Sequence, residues 1–223
     1  MTENGPVNAT RAAIDHVVIG AATLEEGAAF VQALLGVAPG PGGAHPGAGT
    51  HNRLLGLGQG CYLEVIAPDP AQPEPALPRL FGLDDPAVRR SLRKEPGLIA
   101  WVARTSGLDA VLTRLGQDRA GAMRAMSRGS LSWKLADPPA AAGFGGLLPG
   151  LIEWGPPGPP GEIPGHGCAL LAMEAEHPEP AALAAALEER GVREVLGLGP
   201  GPRPVLSLQM RRADGGEAVL RSP

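Results

Sequence analysis

The chain of 223 residues is 43% apolar, enough for one large domain or two small ones sharing an interface. Its net charge of −4, with no basic stripe along any segment, argues against a nucleic-acid partner. No apolar run reaches the roughly 18 residues of a membrane helix, and the first 13 residues have neither a basic start nor an apolar stretch. The expectation is a cytoplasmic protein with no membrane partner.

Aromatics make up only 3%, so Leu, Val, Ile and Ala must fill the core. The 33 Gly and 25 Pro reach a level that by itself fits disorder, but the periodic apolar segments oppose that. Only Lys94 and Lys134 accompany the many arginines, a bias that says little about function. Cys61 and Cys168 are too few for a disulfide framework and lack metal-site spacing. Each heads an apolar strand and reads as a buried free thiol.

In chain order, Ile14 to Gly20 alternates as a strand, and Thr23 with Glu26 forms a capping box that opens a helix. Leu24, Ala28, Val31 and Leu35 give that helix its apolar stripe, and Gly36 ends it. A Gly-rich loop leads to strands at Arg53 to Leu57 and Cys61 to Ile66, with Gly-Leu-Gly-Gln-Gly at 56–60 as their hairpin turn. That run opens no helix and so is no dinucleotide fingerprint. The pattern recurs as a strand at Leu98 to Arg104, a helix capped by Ser106 with Asp109 and stopped by Gly116, and strands at Ser130 to Leu135 and Leu148 to Trp154. A third copy has Ala169 to Glu176, a helix over Glu179 to Arg190, and a hairpin of Val205 to Arg211 and Glu217 to Leu220 about Asp214-Gly215-Gly216.

The helix-ending glycines Gly36, Gly116 and Gly191 lie 80 and 75 residues apart, a repeat of whole modules. The division is a first module at 13–68, a Pro-rich connection with a short charged helix at 69–97, and a second module at 98–155. A Gly/Pro linker at 156–167 and a weaker third module at 168–223 complete it.

Strand alternation places Ile14, His16 and Val18 together on one face of their strand, Tyr62, Glu64 and Ile66 together on one face of theirs, and likewise Leu151 with Glu153. His16, Glu64 and Glu153 are therefore expected to converge in one cavity. A carboxylate among such neighbours costs several kcal/mol unless paired or coordinated. Glu64 and Glu153 at corresponding places in two modules therefore form a constellation, although either could instead pair with Arg53 or Arg104. His45, His166 and His177 stand in Pro/Gly-rich surroundings and read as surface residues.

The stretches Ile14-Asp15-His16-Val17-Val18-Ile19-Gly20, His45-Pro46-Gly47-Ala48-Gly49-Thr50-His51-Asn52 and Tyr62-Leu63-Glu64-Val65-Ile66-Ala67-Pro68 resemble the glyoxalase-like branch of the vicinal oxygen chelate superfamily. So do Ser132-Trp133-Lys134-Leu135 and Leu148-Pro149-Gly150-Leu151-Ile152-Glu153-Trp154. The resemblance implies an α+β fold of tandem βαβββ modules whose curled mixed sheets form a cup-shaped pocket for a small-molecule ligand.

In metal-using members the first and last strands of two modules supply one ligand apiece, which implies His16, Glu64 and Glu153 here. Trp101 falls at the fourth corner, where indole cannot coordinate. The implied cation is divalent (Zn, Mn, Fe or Ni), with His51 or Glu153 moving a proton in lyase, isomerase or dioxygenase-type chemistry. Tyr62, Trp101 and Trp133 would wall the pocket. The other reading is a metal-free binding or sequestering protein in which Trp101 closes the metal corner. The odd third module packs beside the second or pairs with its copy in a homodimer.

Overall fold

A computed structural model describes residues 13–223; the N-terminal stretch read for targeting signals lies largely outside them. The first module runs β1 (Ala13–Gly20), α1 (Leu24–Leu35), β2 (Gly40–His45), β3 (Thr50–Gly56) and β4 (Tyr62–Pro68). Thr23 caps α1, its Oγ1 accepting from Glu26 N at 3.2 Å, and Gly36 closes the helix in the left-handed region at φ 81°. The connection carries α2 (Pro86–Leu92). The second module runs β5 (Gly97–Arg104), α3 (Leu108–Leu115), α4 (Gln117–Ala120), β6 (Met123–Arg128), β7 (Leu131–Ala136) and β8 (Gly150–Trp154).

The two modules share one eight-stranded sheet, ordered β2-β3-β4-β1-β5-β8-β7-β6. In each, the first strand pairs in parallel with the last, and β1 joins β5 antiparallel at the centre. The sheet is curled and nearly barrel-shaped. Arg128 at the end of β6 reaches across to Asn52 on β3, with Nη1 donating to Oδ1 at 3.0 Å. The outer face, with Val17, Ile19, Leu63, Val65, Trp101, Ala103 and Leu151, packs against α1 and α3 in one continuous core. The inner face, with Val18, Ile66, Val102, Trp133, Leu135 and Ile152, lines the cup.

Two strands carry no clear side-chain signal. β2, read as a Gly-rich loop, is Gly-Pro-Gly-Gly-Ala-His and is held by backbone pairing with β3, with Asn52 Oδ1 accepting from Gly43 N at 3.0 Å. Its Gly42 lies where a Cβ would collide with Asn52. β6 alternates exposed and half-buried residues and, among the described residues, pairs only with β7. The Ser106 cap also gives way: Gly107 holds the N-cap position of α3 without a side-chain bond.

The third unit runs β9 (Ala169–His177), α5 (Pro180–Glu189), β10 (Gly197–Pro200), β11 (Val205–Arg211) and β12 (Glu217–Arg221), in a sheet ordered β10-β9-β11-β12. Here β9 is flanked by β10 and β11, so the joint that unites β1 with β5 is not open to it. The unit docks on α1 through Ala213 N to Leu35 O (2.9 Å) and Arg212 Nη1 to Leu34 O (2.9 Å).

The linker between them lies along β3: Gly56 N donates to Pro164 O at 3.1 Å, and a Cβ on Gly56 would run into the Ile163 carbonyl. Gly56→Ala is therefore expected to cost about 1–3 kcal/mol and to free the linker. Limited proteolysis checks this: cleavage between Gly155 and Gly167 should accelerate, and an unchanged digest would contradict the docking.

Candidate functional site

The cup floor is built from β1 and β4, which lie in parallel register with His16 opposite Tyr62. Their rings stack, with centroids 4.7 Å apart and planes at 19°. Asp15, fully buried, accepts from His16 Nδ1 (2.8 Å), Arg104 Nε (2.7 Å) and Trp154 Nε1 (2.9 Å). On the other side of the imidazole, Nε2 lies 3.4 Å from Glu64 Oε2. Glu64 Oε1 accepts from Asn52 Nδ2 at 2.6 Å. That same amide nitrogen is 3.1 Å from His45 Nε2, whose ring is fixed at Nδ1 by Thr50 Oγ1 at 2.9 Å.

The electrostatics follow from this chain of contacts. Burial alone would lower the His16 pKa, but the hydrogen bonds and charges of Asp15 and Glu64 outweigh it and raise it to about 9. Burial would raise Glu64, but His16, with His45 and Asn52, holds it at about 2. Asp15 is likewise held below the usual carboxylate range: His16, Trp154 and Arg104 overcome its burial. Burial pushes His45 down despite the Glu64 charge, with Arg128, His16 and His51 adding to the effect. Burial, and then the Asp15 and Glu64 charges, keep the Tyr62 hydroxyl protonated. His16 is thus an imidazolium clamped between two carboxylates.

The cavity above this floor has a polar wall of His16, His45, Asn52, Tyr62, Glu64 and Arg128. The rest of its lining is apolar and includes Leu54, Ile66, Phe81, Trp133, Ile152 and Trp154. It measures about 40 Å³, space for water-sized occupants, and Pro160 of the linker is part of its lining. A larger cleft of about 710 Å³ adjoins it, sharing Tyr62 and Pro160.

Of the residues singled out from the sequence, His16, Glu64, Tyr62 and Trp133 meet at this cavity. Glu153 does not. It shares the outer face with Leu151, and its Oε2 accepts from Leu108 N at 2.7 Å, supplying α3 with the cap that Ser106 does not. Trp101 is also on the outer face, fully buried, its Nε1 donating to Leu147 O at 2.9 Å.

The cause is a bulge in β1. Ile14 pairs with Ala103, but His16 pairs with Val102, and so Trp101 falls opposite Val17. One extra residue, Asp15, reverses which partners share a face. His51 points away from the cup, with Nδ1 3.8 Å from Asp69 Oδ1, because Thr50 and Asn52 take the inward positions of β3. Arg104 pairs with Asp15 rather than with Glu64 or Glu153. His45 and His177, read as surface residues, are both buried, whereas His166 is exposed. The sequence signal for His45 and Asn52 was present in the His-Pro-Gly-Ala-Gly-Thr-His-Asn stretch. Arg128, one among many arginines, gave none.

The divalent metal implied by the superfamily does not fit the donor set read for it. Glu153 lies on the other side of the sheet, both His16 nitrogens face carboxylates, and Asn52 occupies a Glu64 oxygen. Among the described residues, no group of three or more His, Cys, Asp or Glu is placed to hold a metal ion.

Two βαβββ modules joined edge to edge around a cup define a vicinal oxygen chelate fold. The family model described as a glyoxalase-like domain matches residues 14–191, and the chain belongs to that family. No curated protein matches the sequence. Among solved structures, methylmalonyl-CoA epimerase from Mycobacterium tuberculosis is 22% identical, covering 70% of this chain and 94% of that one, with a TM-score of 0.41. A Streptomyces coelicolor methylmalonyl-CoA epimerase in complex with 2-nitronate-propionyl-CoA is 19% identical over 69% of this chain and 100% of its own, at 0.42. A hypothetical protein from Staphylococcus aureus is 14% identical, covering 80% of this chain and 75% of that one, at 0.53. At these identities the likeness is one of fold.

Proposed function

We propose that this glyoxalase-like protein binds a small amphipathic molecule in the cup, recognising a carboxylate or carbonyl head without a metal. The observation that carries this reading is Arg128. It lines the cavity, makes no ion pair among the described residues, and spends one N–H on Asn52. An anionic oxygen would complete its fork, while Trp133, Trp154 and Phe81 receive the apolar body. Proton transfer needs a base poised near neutrality, and the pairing of His16 with Glu64 holds the two near 9 and 2, so their charges serve each other. That balance favours binding over acid–base chemistry. In this reading a ligand enters from the adjoining cleft as the Pro160 segment moves aside.

Tryptophan resonances test it, because Trp133 and Trp154 line the cup and Trp101 does not. Short aryl- and alkyl-carboxylates should shift the Trp133 and Trp154 indole signals. Arg128→Met should weaken such ligands by about tenfold or more, the worth of a charge-assisted contact. Failure of every carboxylate to move these indoles would end the proposal, as would equal affinity in Arg128→Met.

A further inference from the structure

A second cavity, of about 350 Å³, opens on the far side of Phe81 from the cup. Its size falls in the range of small-molecule sites. Val88 from α2, Ile99 from β5, Leu148, and Leu206 from β11 give it apolar walls. Among the described residues, the side chains with formal charge at its lining are Asp85 and Asp137, and no basic residue lines it. Asp85 sits at the rim with Oδ1 committed to Ala87 N and Val88 N as the cap of α2.

Asp137 follows directly on β7. Its Oδ2 accepts from Phe81 N at 2.6 Å, and its Oδ1 has no hydrogen-bond partner among the described residues. Phe81 itself is held in the left-handed region at φ 56°, a conformation disfavoured for a side chain of that size. Asp137 is half-buried and lines the cavity, so its free Oδ1 is accessible from it and is chemically matched to a donor that carries positive charge.

We propose that this chamber is a ligand site separate from the cup that takes a small amphipathic amine. The ammonium seats on Asp137, and the hydrocarbon lies against Val88, Ile99, Leu148 and Leu206. Burial raises the Asp137 carboxyl to about 6, against the hydrogen bond from Phe81 and the charge of Arg124, and an arriving ammonium would favour the ionised form. The site stands whether or not the cup binds a carboxylate.

The probe is n-hexylamine titrated into the full chain at neutral pH, with hexan-1-ol and hexanoate as controls. Calorimetry gives affinity and the indole N–H resonances give location. Trp101 reports on the chamber because its Nε1 bonds to Leu147, a lining residue, while Trp133 and Trp154 report on the cup. The expected result is hexylamine binding about tenfold or more tighter than either control, with the Trp101 signal shifting alone. Asp137→Asn keeps an oxygen for Phe81 N and should lower hexylamine affinity by a similar factor. Ala142→Phe, which places a ring in the chamber, should abolish binding without touching the acid. Equal binding of hexanol, unchanged affinity in both variants, or shifts confined to Trp133 and Trp154 would each overturn the proposal.

Discussion

His16→Ala is expected to destabilise the protein by about 3–5 kcal/mol at neutral pH, the usual cost of leaving buried charge without its partner. The substitution removes the cation between Asp15 and Glu64 and the ring that stacks on Tyr62. Arg104 and Trp154 still serve Asp15, but Glu64 keeps only the Asn52 amide and the neutral His45 nearby. Urea unfolding of the two proteins measures the difference, and a loss below about 1 kcal/mol would show that the clamp contributes no more than a surface pair.

The same clamp sets a pH profile. His16 is raised from 6.5 to about 9, so its contribution is complete below 6.5 and fades as pH climbs through 9. Glu64 is lowered from 4.5 to about 2, so its contribution is complete above 4.5 and fades as pH falls towards 2. Stability from this pair should therefore plateau between 4.5 and 6.5 and decline on both sides. In His16→Ala the alkaline decline should vanish, a change that packing loss alone would not produce.

Trp101→Ala should cost about 3–5 kcal/mol, as expected for a fully buried aromatic, because the indole fills the core beneath α3 and satisfies the Leu147 carbonyl. In the folded fraction the Trp133 and Trp154 indole signals should stay in place, since the sheet separates them from the lost side chain. Trp101→His, which from the sequence alone would restore a metal corner, should instead bury an imidazole in an apolar layer and bring no gain in metal affinity. A mild effect on stability together with displaced cup signals would place Trp101 on the inner face and undo the register described above.

The repeat of strand, helix and strands, the Thr23 cap, the stop at Gly36 and the final hairpin at Asp214 to Gly216 were legible in the sequence because each rests on local physics. Alternation along β4 turns Tyr62, Glu64 and Ile66 to one side, a capping hydroxyl lies three residues from the N–H it accepts, and glycine alone enters the left-handed region cheaply. Half of the candidate site came with that alternation: His16 with Glu64, and Tyr62 beneath them.

Which side of the sheet each strand presents was not local. A single bulge at Asp15 turned Trp101 outward, and pairing of β8 with β5 turned Glu153 toward the N-terminus of α3. Arg128 came to the cavity only because the sheet curls until β6 approaches β2 and the guanidinium reaches Asn52, and His45 because backbone pairing made a strand of a glycine-rich stretch. The period of two lets a sequence say which residues travel together. One residue of register, fixed by contacts some 85 positions apart in the case of β1 and β5, decides whether they face the ligand or the core.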